Sequence, residues 1–230
     1  METTSSEKNK NSKSYFAFFD LDHTITRSVS GKELVLGAFK KGLMSRTDLV
    51  SAIYLSMVYK MNLVNPSEAI DKMGTWVKGI NVGTMENLCS EVFKEVLLPS
   101  LFPEAKNEIL LHKEKDAGLI ILSSSLSPIC HSMAEYLEMD DILCSGLESV
   151  NGVLTGKATG KFCFGEEKAE RLRQYCELNN SKLKDAWYYG DAFTDLPALS
   201  IVGHPVCINP ERKLERVAKK KGWKIFYWKK

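Results

Sequence analysis

A short apolar run near the N-terminus ends abruptly in two carboxylates, and this feature constrains the fold more than any other stretch of the chain. Residues 15–19 have the aromatic and apolar character of a buried strand, and Asp20 and Asp22 follow directly. The carboxyl ends of parallel strands are where α/β proteins place such polar groups. Two acids this close repel each other unless a cation or a shared proton lies between them. The pattern therefore predicts a strand that leads into a divalent-metal site.

The rest of the chain has the composition of an ordinary globular protein. Of its 230 residues, 44% are hydrophobic and 26% are charged, and the formal net charge of +2 argues neither for nor against an anionic partner. No stretch has the roughly 18 uninterrupted apolar residues of a membrane helix. The basic run at residues 219–221 is typical of a solvated face. We expect neither a membrane nor a nucleic acid as a partner.

The cysteines and the N-terminal segment bear on location. The six cysteines are scattered, without a Cys-x-x-Cys pair or zinc-finger spacing, which predicts reduced core thiols in a cytoplasmic protein. Residues 1–14 are rich in Ser, Thr, Lys, Asn and Glu and lack the apolar segment of a signal peptide. We expect these residues to form a disordered tail.

Residues 28–100 contain no convincing strand, and their periodicity is helical. Six apolar residues recur at the spacing of one helix face, and we expect this stripe to pack inside the block, with the lining of a substrate pocket as the alternative. The six are Val50, Ile53, Tyr54, Met57, Val58 and Met61. Residues 65–68 have the composition of a turn and helix start, and a further helix is expected at residues 84–98, before Pro99.

From residue 101 onwards, strand-like and helix-like segments alternate. Strands are expected at residues 119–122, 142–145, 186–189, 204–208 and 224–228, and helices at 103–115, 128–139, 166–178, 193–200 and 211–220. Asn151-Gly152 is a strong hairpin signal between short strands at 147–150 and 153–157. Alternation of this kind predicts an α/β fold, a three-layer, Rossmann-like and mainly parallel sheet with right-handed crossovers.

The same pattern suggests a division of the chain into domains. We predict a disordered tail (residues 1–14), an α/β core (residues 15–27 and 101–230) and a helical cap (residues 28–100) that is inserted after the first strand. The parallel arrangement brings the carboxyl ends of distant strands to one edge of the sheet.

Several expected strands end in polar residues that would meet at that edge, and a lysine begins a helix that returns to it. In chain order these residues are Asp20, Asp22, Ser123, Lys168, Asp191 and Asp195. A carboxylate nucleophile, a second acid, Mg²⁺-binding oxygens and cationic or hydroxyl donors are the groups that phosphoryl transfer through an aspartyl-phosphate requires. The set therefore predicts a phosphoryl-transfer enzyme.

These residues also carry a resemblance to a known family. The stretches concerned are Asp20-Leu21-Asp22-His23-Thr24, Ser123, Lys168-Ala169-Glu170-Arg171-Leu172 and Gly190-Asp191-Ala192-Phe193-Thr194-Asp195. In this order they resemble the four motifs of the haloacid dehalogenase (HAD) superfamily, over about residues 15–228. The helical insert, with Trp76-Val77-Lys78-Gly79-Ile80 inside it, is similar to the phosphoserine-phosphatase-like branch of subfamily IB.

The resemblance implies a role for each carboxylate. Asp20 would be the nucleophile and a Mg²⁺ ligand. Asp22 would be the general acid and base, and its backbone carbonyl would also bind the metal. Asp191 would be the third metal ligand from the protein. Asp195 would support Lys168 or the metal ligands, although an acid in a first helical turn is also favoured by the helix dipole alone. All the implied ligands are oxygens, which suits Mg²⁺.

The resemblance also implies which groups bind the phosphoryl oxygens. Ser123 would donate its hydroxyl, with Ser124 as the alternative motif serine or as the donor of a backbone N–H. Lys168 would neutralise Asp20 and the transferring group, with Lys161 as the competing lysine. His23, beside the acid, is expected to shape the pocket rather than to act as a base.

Two departures from phosphoserine phosphatases bear on the substrate. Residues 27–30 lack the acidic residue that those enzymes use for the substrate amine, and Ser124 and Ser125 stand where they have two glycines. We therefore expect a generic small phosphorylated metabolite as substrate and a monomer or homodimer as the active form. The alternatives are a phosphotransferase that uses the same site, a phospho-Asp signalling receiver and a binding module without catalysis.

Overall fold

A six-stranded parallel sheet forms the centre of the protein. A computed structural model describes the backbone at residues 13–60 and 75–229, and the side chains of all of these residues except 56–60. The strands in this part of the chain are β1 (Phe16–Phe19), β2 (Gly118–Leu126), β3 (Asp141–Ser145), β4 (Leu147–Val150), β5 (Val153–Ala158), β6 (Trp187–Gly190), β7 (His204–Ile208) and β8 (Lys224–Phe226). The main sheet has the order β3-β2-β1-β6-β7-β8, and every neighbouring pair in it is parallel. The predicted α/β class with a mainly parallel sheet is confirmed.

Helices cover both faces of this sheet. In the described part of the chain they are α1 (Ser30–Lys40), α2 (Arg46–Lys60), α3 (Val82–Val92), α4 (Pro103–Glu114), α5 (Ser127–Leu137), α6 (Glu166–Leu178), α7 (Leu196–Ile201) and α8 (Arg212–Lys221). Shorter helical turns lie at Thr75–Val77, Leu183–Asp185 and Phe193–Asp195. The predicted tail residues 1–12 and the predicted turn at residues 65–68 lie outside the described residues.

The central strands are apolar on both faces, which explains why two hydrophobic cores form. All four residues of β1 are buried. Phe19 belongs to a cluster with α1, α3, α4 and α5, whereas Phe18 belongs to a second cluster with α6, α7 and α8. Successive side chains of a strand point to opposite faces, so this one segment anchors both helical layers. The result is the predicted three-layer arrangement.

The helices between β1 and β2 share a core with the sheet. Leu34 and Ala38 of α1 and Leu88 of α3 lie in the same buried cluster as Phe19. The helix predicted at residues 84–98 begins at Val82 and changes character after Val92, where a π-helical turn and then a 3₁₀ turn follow. The division into a core and a separate cap stays a prediction.

Helix α2 forms as predicted, but its predicted packing is wrong where side chains are described. Val50, Ile53 and Tyr54 are between 52% and 66% exposed. Instead, Leu49 packs against the core cluster and Ala52 is buried. The described part of the predicted stripe, Val50, Ile53 and Tyr54, is therefore directed towards solvent. The side chains of Met57, Val58 and Met61 lie outside the described residues.

The β4–β5 hairpin reaches the inserted helices. Its turn is the predicted Asn151-Gly152, and both residues have the positive φ, 51° and 76°, that a two-residue hairpin turn of this sequence adopts. Backbone hydrogen bonds of 2.9 Å join Gly79 N to Leu154 O, Leu154 N to Ile80 O, and Val82 N to Gly152 O. The insert is therefore attached to the sheet domain by backbone pairing as well as by the shared core.

Candidate active site

Lys168 links two carboxylates that come from distant strand ends. Its Nζ donates to Oδ1 of Asp20 at 2.8 Å and to Oδ1 of Asp195 at 2.7 Å, and it lies 3.2 Å from the phenol oxygen of Tyr188. Lys168 is the third residue of α6 and is buried. Burial alone would lower the pKa of Lys168, but the charges of Asp195 and Asp20 outweigh it and hold that pKa well above its usual value. The lysine is therefore a fixed positive charge beside Asp20.

Asp195 is saturated with hydrogen-bond donors. Its Oδ1 accepts from Lys168 and from the phenol of Tyr188, the latter at 2.8 Å. Its Oδ2 accepts from the backbone N–H of Asp191 at 3.2 Å and of Ala192 at 3.1 Å. Four donors therefore hold this one buried carboxylate in place. Asp195 thus connects Lys168 to the backbone of the loop that carries Asp191.

The close approach of Asp195 depends on Gly190, the last residue of β6. A methyl group at Gly190 would lie 2.7 Å from Oδ2 of Asp195 and 2.9 Å from its Cβ. These distances are too short for a carbon contact, so only glycine leaves room for the carboxylate here.

Three carboxylates converge at the carboxyl ends of β1 and β6. One oxygen from each of Asp20, Asp191 and Asp195 lies within 4.8 Å of the other two. Burial is the main cause that raises the pKa of Asp20, against the lowering effect of Lys168. Burial, followed by the charges of Asp195 and Asp20, raises the pKa of Asp191 well above its ordinary value. Among the described residues Lys168 is the one buried ammonium, so the cluster has room for further positive charge.

Asp22 lies beside this cluster and is held by the first residue of α1. The backbone N–H of Ser30 donates to Oδ1 of Asp22, and the Ser30 hydroxyl donates to Oδ2, both at 2.9 Å. Burial, with the negative charge of Asp20, raises the pKa of Asp22 to about 7, although the bonds from Ser30 act in the opposite direction. A carboxyl group with such a pKa can give and take a proton near neutral pH.

The serines of β2 lie at the same edge of the sheet. Ser123 is buried, and a hydrogen bond from its hydroxyl lowers the pKa of Asp20. Ser124 is partly exposed next to it. The strand was expected to end at Leu122, but it continues to Leu126 because the backbone goes on pairing with β3, through an irregularity after Ser123. Strand pairing, rather than side-chain polarity, sets where β2 ends.

Two other candidate residues are exposed. Lys161 has a side chain that is 85% exposed and lies 4.0 Å from Glu167, so Lys168 and not Lys161 reaches Asp20. His23 is exposed, with a left-handed φ of 57°.

Sequence reasoning missed three residues of this region. Tyr188, Ser30 and Ser125 are all buried and each forms a hydrogen bond to the residues described above or to one another. The sequence signals were weak: Tyr188 is a polar ring within an apolar strand, Ser125 replaces an expected glycine, and Ser30 begins a helix.

The donor chemistry of the site fits Mg²⁺. The carboxylates of Asp20 and Asp191 and the predicted carbonyl of Asp22 are hard oxygen ligands. The cluster of three carboxylates described above consists of Asp20, Asp191 and Asp195. Asp22 is not in it, because the ligand predicted from Asp22 is its backbone carbonyl and not its side chain. Asp195 already accepts four hydrogen bonds, which leaves Asp20 and Asp191 as the freer carboxylates. The residues present therefore suit Mg²⁺.

Comparison with known proteins identifies the family. A sequence model of haloacid dehalogenase-like hydrolases matches residues 17–200. The chain belongs to this family. It is 24% identical over 213 residues to the phosphoserine phosphatase SerB1 of Mycobacterium tuberculosis, an alignment that covers 91% of this chain and 69% of that protein. It is 29% identical over 147 residues to a histidinol-phosphatase of Neisseria meningitidis, an alignment that covers 60% of this chain and 64% of that protein.

The fold is similarly shared with solved structures. A phosphoserine phosphatase in a phospho-aspartyl intermediate analogue superposes with a TM-score of 0.72 at 17% identity, over 95% of this chain and 94% of the other. The HAD-like fold is thus confirmed, and the protein is an enzyme, a HAD-type phosphatase. No helix in the described part of the chain is long and apolar enough to cross a membrane.

Proposed function

We propose that this HAD-type phosphatase hydrolyses a small phosphomonoester in two steps, through a phosphoryl group carried on Asp20. The observation that supports this most directly is the buried contact of 2.8 Å between Asp20 and Lys168. An ammonium held in place beside a nucleophilic carboxylate compensates the repulsion that a phosphate dianion would otherwise meet there.

In the first step the Asp20 carboxylate attacks phosphorus. The bond between phosphorus and the ester oxygen breaks, and the leaving alkoxide takes a proton from the carboxyl group of Asp22. Lys168 holds Asp20 and faces the transferring group, while the Ser123 hydroxyl and the backbone N–H of Ser124 bind phosphoryl oxygens. The products of this step are a free alcohol and phosphorylated Asp20.

In the second step the roles of Asp22 reverse. Its carboxylate takes a proton from a water molecule, whose oxygen attacks phosphorus, and the bond to Asp20 breaks to release inorganic phosphate. The pKa of about 7 for Asp22 suits both directions of proton transfer.

We assign Mg²⁺ binding to the side chains of Asp20 and Asp191 and to the backbone carbonyl of Asp22. When bound, Mg²⁺ neutralises charge on the phosphoryl oxygens. Asp195 contributes indirectly, since it fixes both Lys168 and the backbone of Asp191.

We further propose that residues 28–100 act as a cap over a core formed by residues 15–27 and 101–230. Lid movements that exclude water are common in enzymes of this kind of chemistry. The pairing of the β4–β5 hairpin with residues 79–82 favours the closed arrangement.

The substrate class follows from the relatives and from the site. The two enzyme names above refer to phosphate esters of primary alcohols that carry a neighbouring amine. Ser125 occupies the position of a glycine that would allow closer backbone approach. Residues 27–30 include no acidic side chain for that amine, and Glu33 follows only in the first turn of α1. We therefore propose a small alkyl phosphate without commitment to phosphoserine. All six cysteines are free thiols, which supports a cytoplasmic enzyme. We propose a monomer or homodimer as its active form.

The test is to trap the phosphorylated protein. Radiolabelled 4-nitrophenyl phosphate is mixed with the enzyme and Mg²⁺, the reaction is quenched with acid, and the label is located by digestion. The label is expected on the peptide that contains Asp20, absent in Asp20→Asn and retained in Asp185→Asn, a matched change at an exposed position. Label on another residue, or label that accumulates without phosphate release, would refute the proposal. Adding an alcohol and assaying its phosphate ester separates hydrolysis from phosphotransfer.

A further inference from the structure

One residue, Ser30, donates a hydrogen bond to each of the two oxygens of the Asp22 carboxylate. The N–H and the hydroxyl of Ser30 each donate to a different oxygen of Asp22, both at 2.9 Å. The Ser30 side chain is only 1% exposed, so little water competes for these bonds. Because both donors belong to Ser30, they fix both the position and the plane of the Asp22 carboxyl group. Each oxygen retains a second lone pair that is free for proton transfer.

The hydroxyl of Ser30 is in turn oriented by Ser125. Their Oγ atoms are 2.5 Å apart. Because Ser30 gives its single proton to Asp22, Ser125 must be the donor in this pair. The hydroxyl of Ser123, whose hydrogen bond goes to Asp20, lies 3.3 Å from the Ser125 hydroxyl. A chain of hydroxyl groups thus runs from Ser123 through Ser125 and Ser30 to Asp22.

We propose that Ser30 is a positioning residue, which orients the Asp22 carboxyl group for proton transfer to the leaving alkoxide, and that Ser125 holds the Ser30 hydroxyl in place. This inference rests on the proposed function, because it presupposes that Asp22 is the acid. General acid catalysis contributes roughly 10²–10⁴-fold and requires hydrogen-bond reach between donor and acceptor. A carboxyl group that loses its orientation therefore slows the cleavage of those esters whose leaving group needs a proton.

The arrangement also gives the inserted helices a part in catalysis. Ser30 is the first residue of α1, and α1 docks on the sheet through Leu34 and Ala38. The acid is therefore correctly held only while α1 is docked. Undocking of α1 would remove both Ser30 donors from Asp22.

The deciding measurement is kcat/KM for two esters of similar shape, benzyl phosphate and 4-nitrophenyl phosphate. This ratio reports events up to cleavage of the ester bond and excludes the second step. Benzyl alkoxide is strongly basic and needs a proton, whereas 4-nitrophenolate leaves without one. We expect Ser30→Ala to lower kcat/KM for benzyl phosphate about 10-fold and to change that for 4-nitrophenyl phosphate less than about 2-fold. An equal loss on both esters would overturn the inference.

Three further variants sharpen the result. Ser45→Ala is the matched control, because Ser45 also donates to an aspartate at the start of an inserted helix, Asp48 at 2.6 Å; its selectivity should equal that of the wild type. Ser30→Thr keeps the hydroxyl and should restore cleavage of benzyl phosphate. Ser125→Ala should shift the selectivity in the same direction as Ser30→Ala but less. If Ser30→Ala does not fold, Ser125→Ala decides, and an unchanged selectivity in it overturns the inference.

Asp22→Asn separates this inference from the proposed function. In that variant, kcat/KM for benzyl phosphate should fall the most relative to kcat/KM for 4-nitrophenyl phosphate. If it loses both esters equally, or if the wild type cleaves neither, the assignment of Asp22 as the acid fails. If Asp22→Asn is selective and Ser30→Ala is not, the role of Ser30 fails alone.

Discussion

Lys168 and Asp20 lie 148 positions apart in the sequence, yet Nζ of the lysine is 2.8 Å from Oδ1 of the aspartate. The contact requires β1, β6 and α6 to be in register, since Asp20 follows β1 and Lys168 enters from the helix that precedes β6. Asp195 completes the arrangement by accepting from the same ammonium at 2.7 Å. Burying such charges costs desolvation free energy that their mutual attraction does not always repay, so stability alone is a weak reason for the arrangement, and phosphoryl transfer is the function proposed for it.

Asp20→Asn is expected to abolish phosphate release while the protein remains folded. The amide keeps the shape of the carboxyl group but is not a nucleophile, so turnover of any phosphate ester should fall by at least about 10³-fold. Phosphate release measures the effect, and circular dichroism checks the fold. Retained turnover of 4-nitrophenyl phosphate would show that another residue is the nucleophile.

Lys168→Met is expected to damage both stability and activity. It leaves the buried carboxylates of Asp20 and Asp195 without their ammonium, which costs about 3–5 kcal/mol of unfolding free energy for a broken buried pair. Urea unfolding at neutral pH measures the loss. Lys161→Met is the control, since that side chain is 85% exposed, and it should leave stability and turnover unchanged. The reverse outcome would make Lys161 the functional lysine.

Gly190→Ala is expected to displace Asp195. The added methyl would lie 2.7 Å from Oδ2 of Asp195, and relief of that clash must move either the carboxylate or β6. Overpacking of this kind costs about 1–3 kcal/mol, and loss of the Asp195 bonds should also lower kcat. The control is Gly31→Ala in α1, where an added methyl meets nothing within 4 Å. Full activity in Gly190→Ala would mean that Asp195 is dispensable.

Local signals in the sequence predicted much of the fold because they act over a few residues. Helix α6 covers the predicted range 166–178, and Gly165, with a φ of 56°, marks its start. The Asn151-Gly152 turn likewise forms the predicted hairpin. A strand that is apolar on both faces, such as β1, implies a sheet covered on both sides. These features needed no knowledge of distant partners.

Features set by tertiary contacts could not be predicted in the same way. Helix α2 has a regular apolar stripe, but it is Leu49 that packs against the core cluster and Ala52 that is buried. The bond between Ser30 and Ser125 joins residues 95 positions apart, and it depends on how α1 docks on β2. The site residues were predicted from motif order, whereas the groups that orient them depend on packing angles that periodicity does not encode.

A buried histidine is expected to make stability fall in mild acid. His112 is 4% exposed and lies 2.8 Å from the phenol oxygens of both Tyr15 and Tyr189. Tyr189 donates its proton to Glu108, so it accepts from Nε2–H of His112, and the Tyr15 hydroxyl can donate to Nδ1 of the neutral ring. Burial, with the charges of Lys115 and His204, lowers the pKa of His112 to about 4.

The sign and range of the pH effect follow from this shift. The unfolded chain binds a proton at His112 below about pH 6.5, whereas the folded protein resists it down to about pH 4. The contribution of His112 to the unfolding free energy is therefore fully present above about pH 6.5. It decreases by about 3 kcal/mol as the pH falls from about 6.5 to about 4. Urea unfolding in EDTA at several pH values should show a shallower slope in His112→Gln than in the wild type. His131→Gln, at an exposed position, should keep the wild-type slope, and identical slopes in all three proteins would contradict the assignment.

Mg²⁺ is expected to stabilise the protein and to restore activity after EDTA treatment. Burial raises the pKa of Asp20, and burial with the negative charges of Asp195 and Asp20 raises the pKa of Asp191. A divalent cation beside these groups favours their charged forms. A ligand that binds only the folded state at 100 times its Kd adds about 2.7 kcal/mol to the unfolding free energy. Thermal unfolding should therefore shift upward by several degrees in millimolar Mg²⁺.

Asp191→Asn decides whether this shift arises at the proposed site. Its amide oxygen is a much weaker ligand than a carboxylate, so both the thermal shift and the recovery of turnover should be lost or require far more Mg²⁺. Because the substitution also removes a raised-pKa acid, the metal-free variant should be no less stable than the metal-free wild type at neutral pH. Asp185→Asn, at an exposed position, should respond to Mg²⁺ as the wild type does. A full Mg²⁺ shift in Asp191→Asn would place the metal elsewhere and remove Asp191 from the ligand set.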